Sequence, residues 1–433
     1  MPNDIINYLK KTLKIIKNNK ILFRYTYETV SLNKNITSSI FDSDFETFRL
    51  SYNNIEYIGI GRCKEYVLNS KKDLEKLNKI KLNNKSFWVD KNKELKLFGG
   101  VAFNINNKLN KPWDKIPVGL FVIPKLLITK KNKRYYITYH CLLDKNSNLD
   151  NMINDYDSII NYNNNIKNKI NLKYEKDYPS KLEYQKAFNI LNDKINSGFI
   201  DKVVLSRMKI YSTSNKNRLI RDQSNCTNFH FDLTKNERFM GSTPEKIIEV
   251  INKNLYTNAI AGTLRKNQDN MDLDDFLINQ KELSEHQYVI KDLINKLKKF
   301  SDNITYSNKP SILELKHLYH LNTPIKGMMN NKYHILEILY HLYPTPAVLG
   351  TPHNKALDLI LNNEPFDRGW YGGCIGWFDL KGNGKFDVTI RSGLQRNNKL
   401  YLYAGSGLVN GSSKEYEWDE THEKFKHLIS LIN

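Results

Sequence analysis

Cysteine is scarce in this chain, with four among 433 residues. Cys63, Cys141, Cys226 and Cys374 stand far apart, and none belongs to a Cys-x-x-Cys pair. That excludes a disulfide framework and a zinc ribbon, and it fits a reducing cytoplasm. Long apolar runs are missing too: nothing approaches the ~18 consecutive apolar residues that span a bilayer. Residues 1–20 alternate Ile and Leu with Lys and Asn, without a compact apolar stretch or a small-residue cleavage site. They do not read as a signal peptide. Neither GxGxxG nor GxxxxGK[ST] occurs, so nucleotide binding has no support. A GxSxG elbow, an HExxH pair, a repeat of 20–50 residues and a heptad seam are also absent. Nothing in the pattern demands a protein partner, so a monomer or a weak homo-oligomer is expected.

Arginine is the other shortage. The net charge is +20, from 66 basic and 46 acidic residues, yet only 12 of the basic residues are Arg and 54 are Lys. A charge of this size suggests a nucleic-acid or anionic-membrane partner. Its distribution argues against one. Lys is interleaved with Asn and Ile throughout, as in Lys17-Asn18-Asn19-Lys20. These residues share A/T-rich codons, so a biased genome writes them everywhere. Nucleic-acid readers cluster their charge and favour Arg at base edges. A basic nucleic-acid-binding protein is therefore the weaker reading.

What is present is an ordinary globular balance, 40% hydrophobic and 26% charged. Residues 1–150 read as a short helix followed by strands, among them Leu50 to Ile60 and Arg134 to Leu143. Phe98-Gly99-Gly100-Val101-Ala102-Phe103 reads as a strand whose glycine pair admits another backbone. Residues 144–178 are rich in Asn, Asp, Lys and Tyr and read as a polar connector or surface helix. Residues 179–433 carry the sharper patterns. Leu182, Phe188, Leu191 and Ile195 recur at helical spacing and Gly198 stops that helix. Lys202 to Ile210 predicts a strand, and Asp272 to Phe300 one long amphipathic helix. Ser413 to Ile432 predicts another, capped by Ser412 or Ser413. Tyr371 to Trp377, Lys385 to Ser392 and Leu400 to Leu408 predict antiparallel strands. The irregular alternation argues a single α+β domain over 1–433 with large antiparallel sheets.

Several constellations could carry chemistry. Glu282 and Glu285 sit three apart on one predicted helix, as do Glu417 and Glu420 on another. Each pair shares a helical face, and two such faces together make an oxygen-rich cage for a hard divalent ion. A solvated helix face is the plainer explanation of each pair alone. Lys202 shares its strand face with Val204. Burial there would favour a neutral amine able to act as a general base, although a strand-edge lysine in a lysine-rich chain is the plainer explanation. Glu245 follows Pro244, and a fixed turn can seat a general acid, although a helix N-terminus is the plainer explanation. His286, His317, His320 and His341 lack a ligand spacing.

In order along the chain, the motifs resemble the chorismate-utilising enzymes. They run Lys202-Val203-Val204-Leu205-Ser206-Arg207, Gly241-Ser242-Thr243-Pro244-Glu245, Ala261-Gly262-Thr263, Lys281-Glu282-Leu283-Ser284-Glu285-His286 and His320-Leu321. They continue through Pro344-Thr345-Pro346-Ala347, Arg368-Gly369-Trp370-Tyr371-Gly372-Gly373, Arg391-Ser392, Ala404-Gly405-Ser406-Gly407 and Glu417-Trp418-Asp419-Glu420-Thr421. The likeness is dense over about 180 to 430 and weak over 1–150. Thr243 stands where the family usually has Ser, and so does Asn279. Members that use water as nucleophile carry a lysine where this chain has Lys202. Aminodeoxychorismate synthases carry one where it has Ala261. The resemblance thus implies isochorismate synthase activity, with salicylate synthase as the alternative.

It also implies a mechanism. Glu285 and Glu417 would hold Mg²⁺, with Glu282 and Glu420 contributing directly or through water. Lys202, neutral in its pocket, would deprotonate water attacking C2 of chorismate. Glu245 would protonate the departing C4 hydroxyl. Tyr371 and Arg391 would hold the enolpyruvyl carboxylate. Gly262, Thr263, Gly405, Gly407 and Lys424 match further substrate-contacting positions. His320 matches a position linked to pyruvate-side chemistry in salicylate-forming relatives.

Overall fold

The computed structural model describes residues 1–432 except 17–19, 30–39, 78–94, 163–170, 214–220, 267–270, 315–317 and 331–332. The fold is α+β. Its described strands join in one hydrogen-bonded network, and every pairing is antiparallel. The Gly119–Lys131 strand is one branch point, pairing with Ile55–Leu68, Lys96–Val101 and Arg134–Leu143.

From there the network runs along two arms. One passes through Thr47–Tyr52, Thr227–Asp232, Glu237–Thr243, Ser392–Arg396, Lys399–Leu408 and Lys202–Thr213. The other passes through Cys374–Asp379, Gly384–Val388, Lys246–Ile251, Asn254–Arg265 and Leu318–Met328. The arms face each other across the main apolar core. Phe48 of the first lies 4.8 Å from Phe98, which is paired to the second. Phe231 stacks on Phe48 at 5.4 Å, and Trp113 meets Phe239 edge-on. Such aromatic pairs add specific geometry to the burial. A smaller core, with Ile5, Leu9, Phe23, Tyr139, Tyr156 and Ile159, lies under the Asn3–Ile15 and Leu149–Ile160 helices.

The glycine pair at 99–100 has the expected role. A Cβ on Gly99 would run into the Leu120 carbonyl, and one on Gly100 into the Cys374 carbonyl. Only glycine lets both neighbouring strands approach.

Three expectations are corrected. The stretch Asp272 to Phe300 is two helices, Leu273–Ile278 and Gln280–Leu297. The break is at Asn279, whose extended backbone (ψ 117°) ends one helix while its side chain accepts from Glu282 N and caps the next. Leu50 to Ile60 is a hairpin, turned at Asn53 with φ +51° and Asn54. In the Lys181–Asn196 helix, Leu182 is exposed and Tyr184 takes the inward position beside Phe188, Leu191 and Ile195. Within 144–178, Leu149–Ile160 is a helix and Leu172–Tyr178 is a strand paired with the Lys202 strand.

Candidate active site

The Lys202 strand, the Gly405–Gly407 stretch paired to it, the Glu245 turn and the first turns of two helices enclose a cavity of about 110 Å³. All fourteen residues singled out from the sequence line it: Lys202, Glu245, Gly262, Thr263, Glu282, Glu285, His320, Tyr371, Arg391, Gly405, Gly407, Glu417, Glu420 and Lys424. They lie up to 222 positions apart, and the antiparallel arms bring them together.

Lys202 is 1% exposed and faces the cavity together with Val204, as alternation requires. Its Nζ is not free. It donates to Glu285 Oε1 at 2.6 Å in a nearly buried ion pair. The lysine expected from the sequence to act as a base thus has a carboxylate within hydrogen-bond reach.

Glu245 opens no helix. It sits in the turn between Glu237–Thr243 and Lys246–Ile251. Its amide donates to Thr243 Oγ1 at 3.2 Å, and its carbonyl accepts from Val388 N at 2.9 Å. Thr243 thus keeps the hydroxyl role of the serine usual there. The Glu245 carboxyl is buried and accepts from Thr345 Oγ1 at 3.1 Å. Burial pushes it up to about 7, against the pull of Thr345, Lys202 and Lys424.

The carboxylates come from two helices. Glu282 and Glu285 stand in the first turns of Gln280–Leu297, and Glu417 and Glu420 in those of Lys414–Ile432, which Ser413 caps through Tyr416 N. Each Glu has a different partner. Glu420 meets Lys424 at 2.8 Å, and Lys424 also donates to the Gly405 carbonyl. Burial opposes the Glu420 charge, but Lys424 outweighs it and holds the group below its usual range. Glu282 accepts from Thr263 N at 2.8 Å. It is pushed up to about 7 by burial and by Glu285. Glu417 is pushed up to about 8 by burial and by Glu420.

Among the described residues, no three His, Cys, Asp or Glu side chains converge into a ready-made ion cage. The donor set nevertheless suits a hard cation: four carboxyl groups line one cavity, two paired with lysines and two raised by burial and by a neighbouring carboxylate.

Arg391, His320 and Tyr371 line the same cavity. Arg391 is buried with φ +50° and forms no ion pair among the described residues. Its Nη2 lies 3.5 Å from His320 Nε2. The other ring nitrogen of His320 is 3.0 Å from the Gly262 carbonyl. Burial, then Arg391, depress His320 to about 3, so the ring is neutral and donates from Nδ1 to that carbonyl. Gly262 itself bulges its strand with φ +78°. Tyr371 is buried and stacks on Tyr403 at 5.3 Å.

Of the other histidines, His286 is buried on Thr323 Oγ1 at 2.8 Å, and His341 is bonded to Lys299 at the surface. His317 lies outside the described residues. Among residues not singled out from the sequence, Tyr403 and Lys281 line the cavity, Tyr403 beneath Tyr371 and Lys281 with its Nζ 5.5 Å from the Tyr416 ring centroid, while Thr345 lies behind the lining as the partner of Glu245. Thr345 and Lys281 fall inside the motif runs, so position alone marked them.

Comparison with known proteins shows the family and the fold. Isochorismate synthase MenF of Bacillus subtilis is 28% identical over 353 residues, covering 78% of this chain and 74% of that protein. Isochorismate synthase EntC of Escherichia coli is 33% identical over 245 residues, covering 54% of this chain and 62% of that protein. The solved structure of the menaquinone-specific isochorismate synthase MenF from Escherichia coli superposes with a TM-score of 0.78 over 99% of both chains. At 22% identity that likeness shows the fold. A family model described as chorismate binding enzyme matches residues 16–433, so the chain belongs to the chorismate-binding enzyme family.

Proposed function

We propose that the chain is an isochorismate synthase, converting chorismate to isochorismate with Mg²⁺. The observation that carries this reading is the meeting, in one small cavity, of a buried lysine, a buried carboxyl near neutral pKa and an unpaired buried arginine. The relatives named isochorismate synthases support it.

Each residue's role follows from its surroundings. Arg391, with no carboxylate of its own, receives a substrate carboxylate, and Tyr371 stands beside it in the cavity wall. Glu245 holds a proton near neutral pH and delivers it to the departing C4 hydroxyl. Lys202, once its pairing with Glu285 loosens, accepts the proton of the water that attacks C2. The ring double bonds shift, the C4 oxygen leaves as water and atoms balance. A positioned acid and base each supply roughly 10²–10⁴-fold. Glu282, Glu285, Glu417 and Glu420 would hold Mg²⁺, which when bound would neutralise the ring carboxylate of the substrate.

The test is chromatography of products after incubation with chorismate, with Mg²⁺ or with EDTA. Isochorismate as the sole product, lost in EDTA, is expected. Salicylate with pyruvate would move the chain to the salicylate synthases. Unchanged chorismate in every arm would refute the reading.

A further inference from the structure

The Glu245 carboxylate has one hydrogen-bond partner among the described residues, the Thr345 hydroxyl, 3.1 Å from Oε1 and itself buried. Thr345 is held firmly. Its carbonyl accepts from Val348 N at 3.1 Å and Leu349 N at 3.0 Å. The chain then runs directly to the base. The Leu349 carbonyl accepts from Val204 N, and Gly350 and Thr351 pair with Val203 and Lys202. Gly350 has φ +127°, and a Cβ there would run into the Lys202 carbonyl. Residues 345–351 therefore touch the acid with a side chain and the base's strand with main chain.

We propose that Thr345 is a positioning residue for Glu245, its hydroxyl donating to Oε1 so that Oε2 is the oxygen that carries and delivers the proton. The inference rests on the reading of Glu245 as the acid. A neutral carboxyl has one O–H. If Oε1 accepts from Thr345, that O–H is on Oε2. After the proton leaves, the same hydroxyl donates to a carboxylate, and a charge-assisted bond is the stronger one. Thr345 thus favours the state reached by proton transfer. The other groups facing Glu245 are Lys202 and Lys424, which favour its charge, and Asp387, which opposes it. None of them replaces a directional donor at Oε1.

The test compares Thr345→Val, Thr345→Ser and Glu245→Gln with the unsubstituted enzyme. Folding is checked by melting, and kcat, KM and the pH profile are recorded. Thr345→Val should lower kcat roughly 10- to 100-fold, the worth of one bond to a charged group. KM should hold, and the pH at which kcat/KM falls should move upward. Thr345→Ser should restore most of the rate. If Thr345→Val does not fold, Thr345→Ala is read the same way. Wild-type kcat with an unmoved alkaline limb overturns the inference, as does a rise in KM alone, which would make the hydroxyl a substrate contact. Near-wild-type turnover by Glu245→Gln would instead sink the acid reading itself. An inactive Glu245→Gln beside a wild-type-like Thr345→Val would sink only the role of Thr345.

Discussion

At the residue scale, two titratable groups define the site by their surroundings. Glu245 is raised to about 7 chiefly by burial. A general acid works in its protonated form, so kcat/KM should fall as pH rises through about 7. The sign for stability is the same. A carboxyl raised above its unfolded value stabilises the fold at low pH, and the contribution fades as pH climbs through the folded value. A pH–rate profile with no descending limb near neutrality would contradict the assignment. Removal of the groups themselves is the second expectation. Lys202→Ala and Glu245→Gln should each cut kcat by ~10²–10⁴-fold while the circular dichroism spectrum is retained. The sequence motifs already pointed to these two residues. The Lys202–Glu285 ion pair and the Thr345 contact were not legible there. The first joins residues 83 apart and the second residues 100 apart, and no local pattern encodes such meetings.

At the scale of elements, the helices that present the carboxylates depend on their first turns. Asn279 caps Gln280–Leu297 and Glu282 is that helix's third residue. Asn279→Ala should cost about 0.5–2 kcal/mol of stability in denaturant titration. On the proposed reading of Glu282 as a Mg²⁺ holder, it should also raise the Mg²⁺ concentration needed for half-maximal activity, because Glu282 then frays with the turn. The amphipathic pattern runs unbroken across Asn279, which is why the sequence predicts one helix where there are two. Asn can sit in a helix or cap one, and periodicity does not choose. The Leu172–Tyr178 strand was hidden for the opposite reason. Its residues are mostly exposed, so the alternation that marks a half-buried strand is missing. The second helix is anchored by Arg207. Its guanidinium lies 3.6 Å from the Trp418 ring, bonds Thr421 and pairs with Asp177 at 2.7 Å. Arg207→Met leaves the partly buried Asp177 only the longer Lys209 contact at 3.9 Å and should destabilise the protein, by at most ~3–5 kcal/mol. A variant as stable as the parent would show that the stacking alone suffices.

At the scale of the whole molecule, the +20 charge and the glutamate-rich cavity have separate origins. The charge is spread lysine, whereas the site holds its lysines against glutamates: Lys202 on Glu285 and Lys424 on Glu420. Among the described residues, no helix is long and apolar enough to cross a membrane. A positive field aids capture of an anionic substrate by steering, so kcat/KM should decline modestly with added salt while kcat stays constant. The α+β class and the antiparallel sheets were readable from alternation, and fourteen of the cavity's lining residues from the family resemblance. The branching of the network at Gly119–Lys131 was not, because it rests on pairings between distant strands.

The central claim is water attack at C2 of chorismate within this cavity. Turnover of chorismate in heavy-oxygen water, with the product analysed by mass spectrometry, tests it most directly. Isochorismate carrying the heavy oxygen at C2 is expected. Unlabelled isochorismate, or no isochorismate at all, would contradict it.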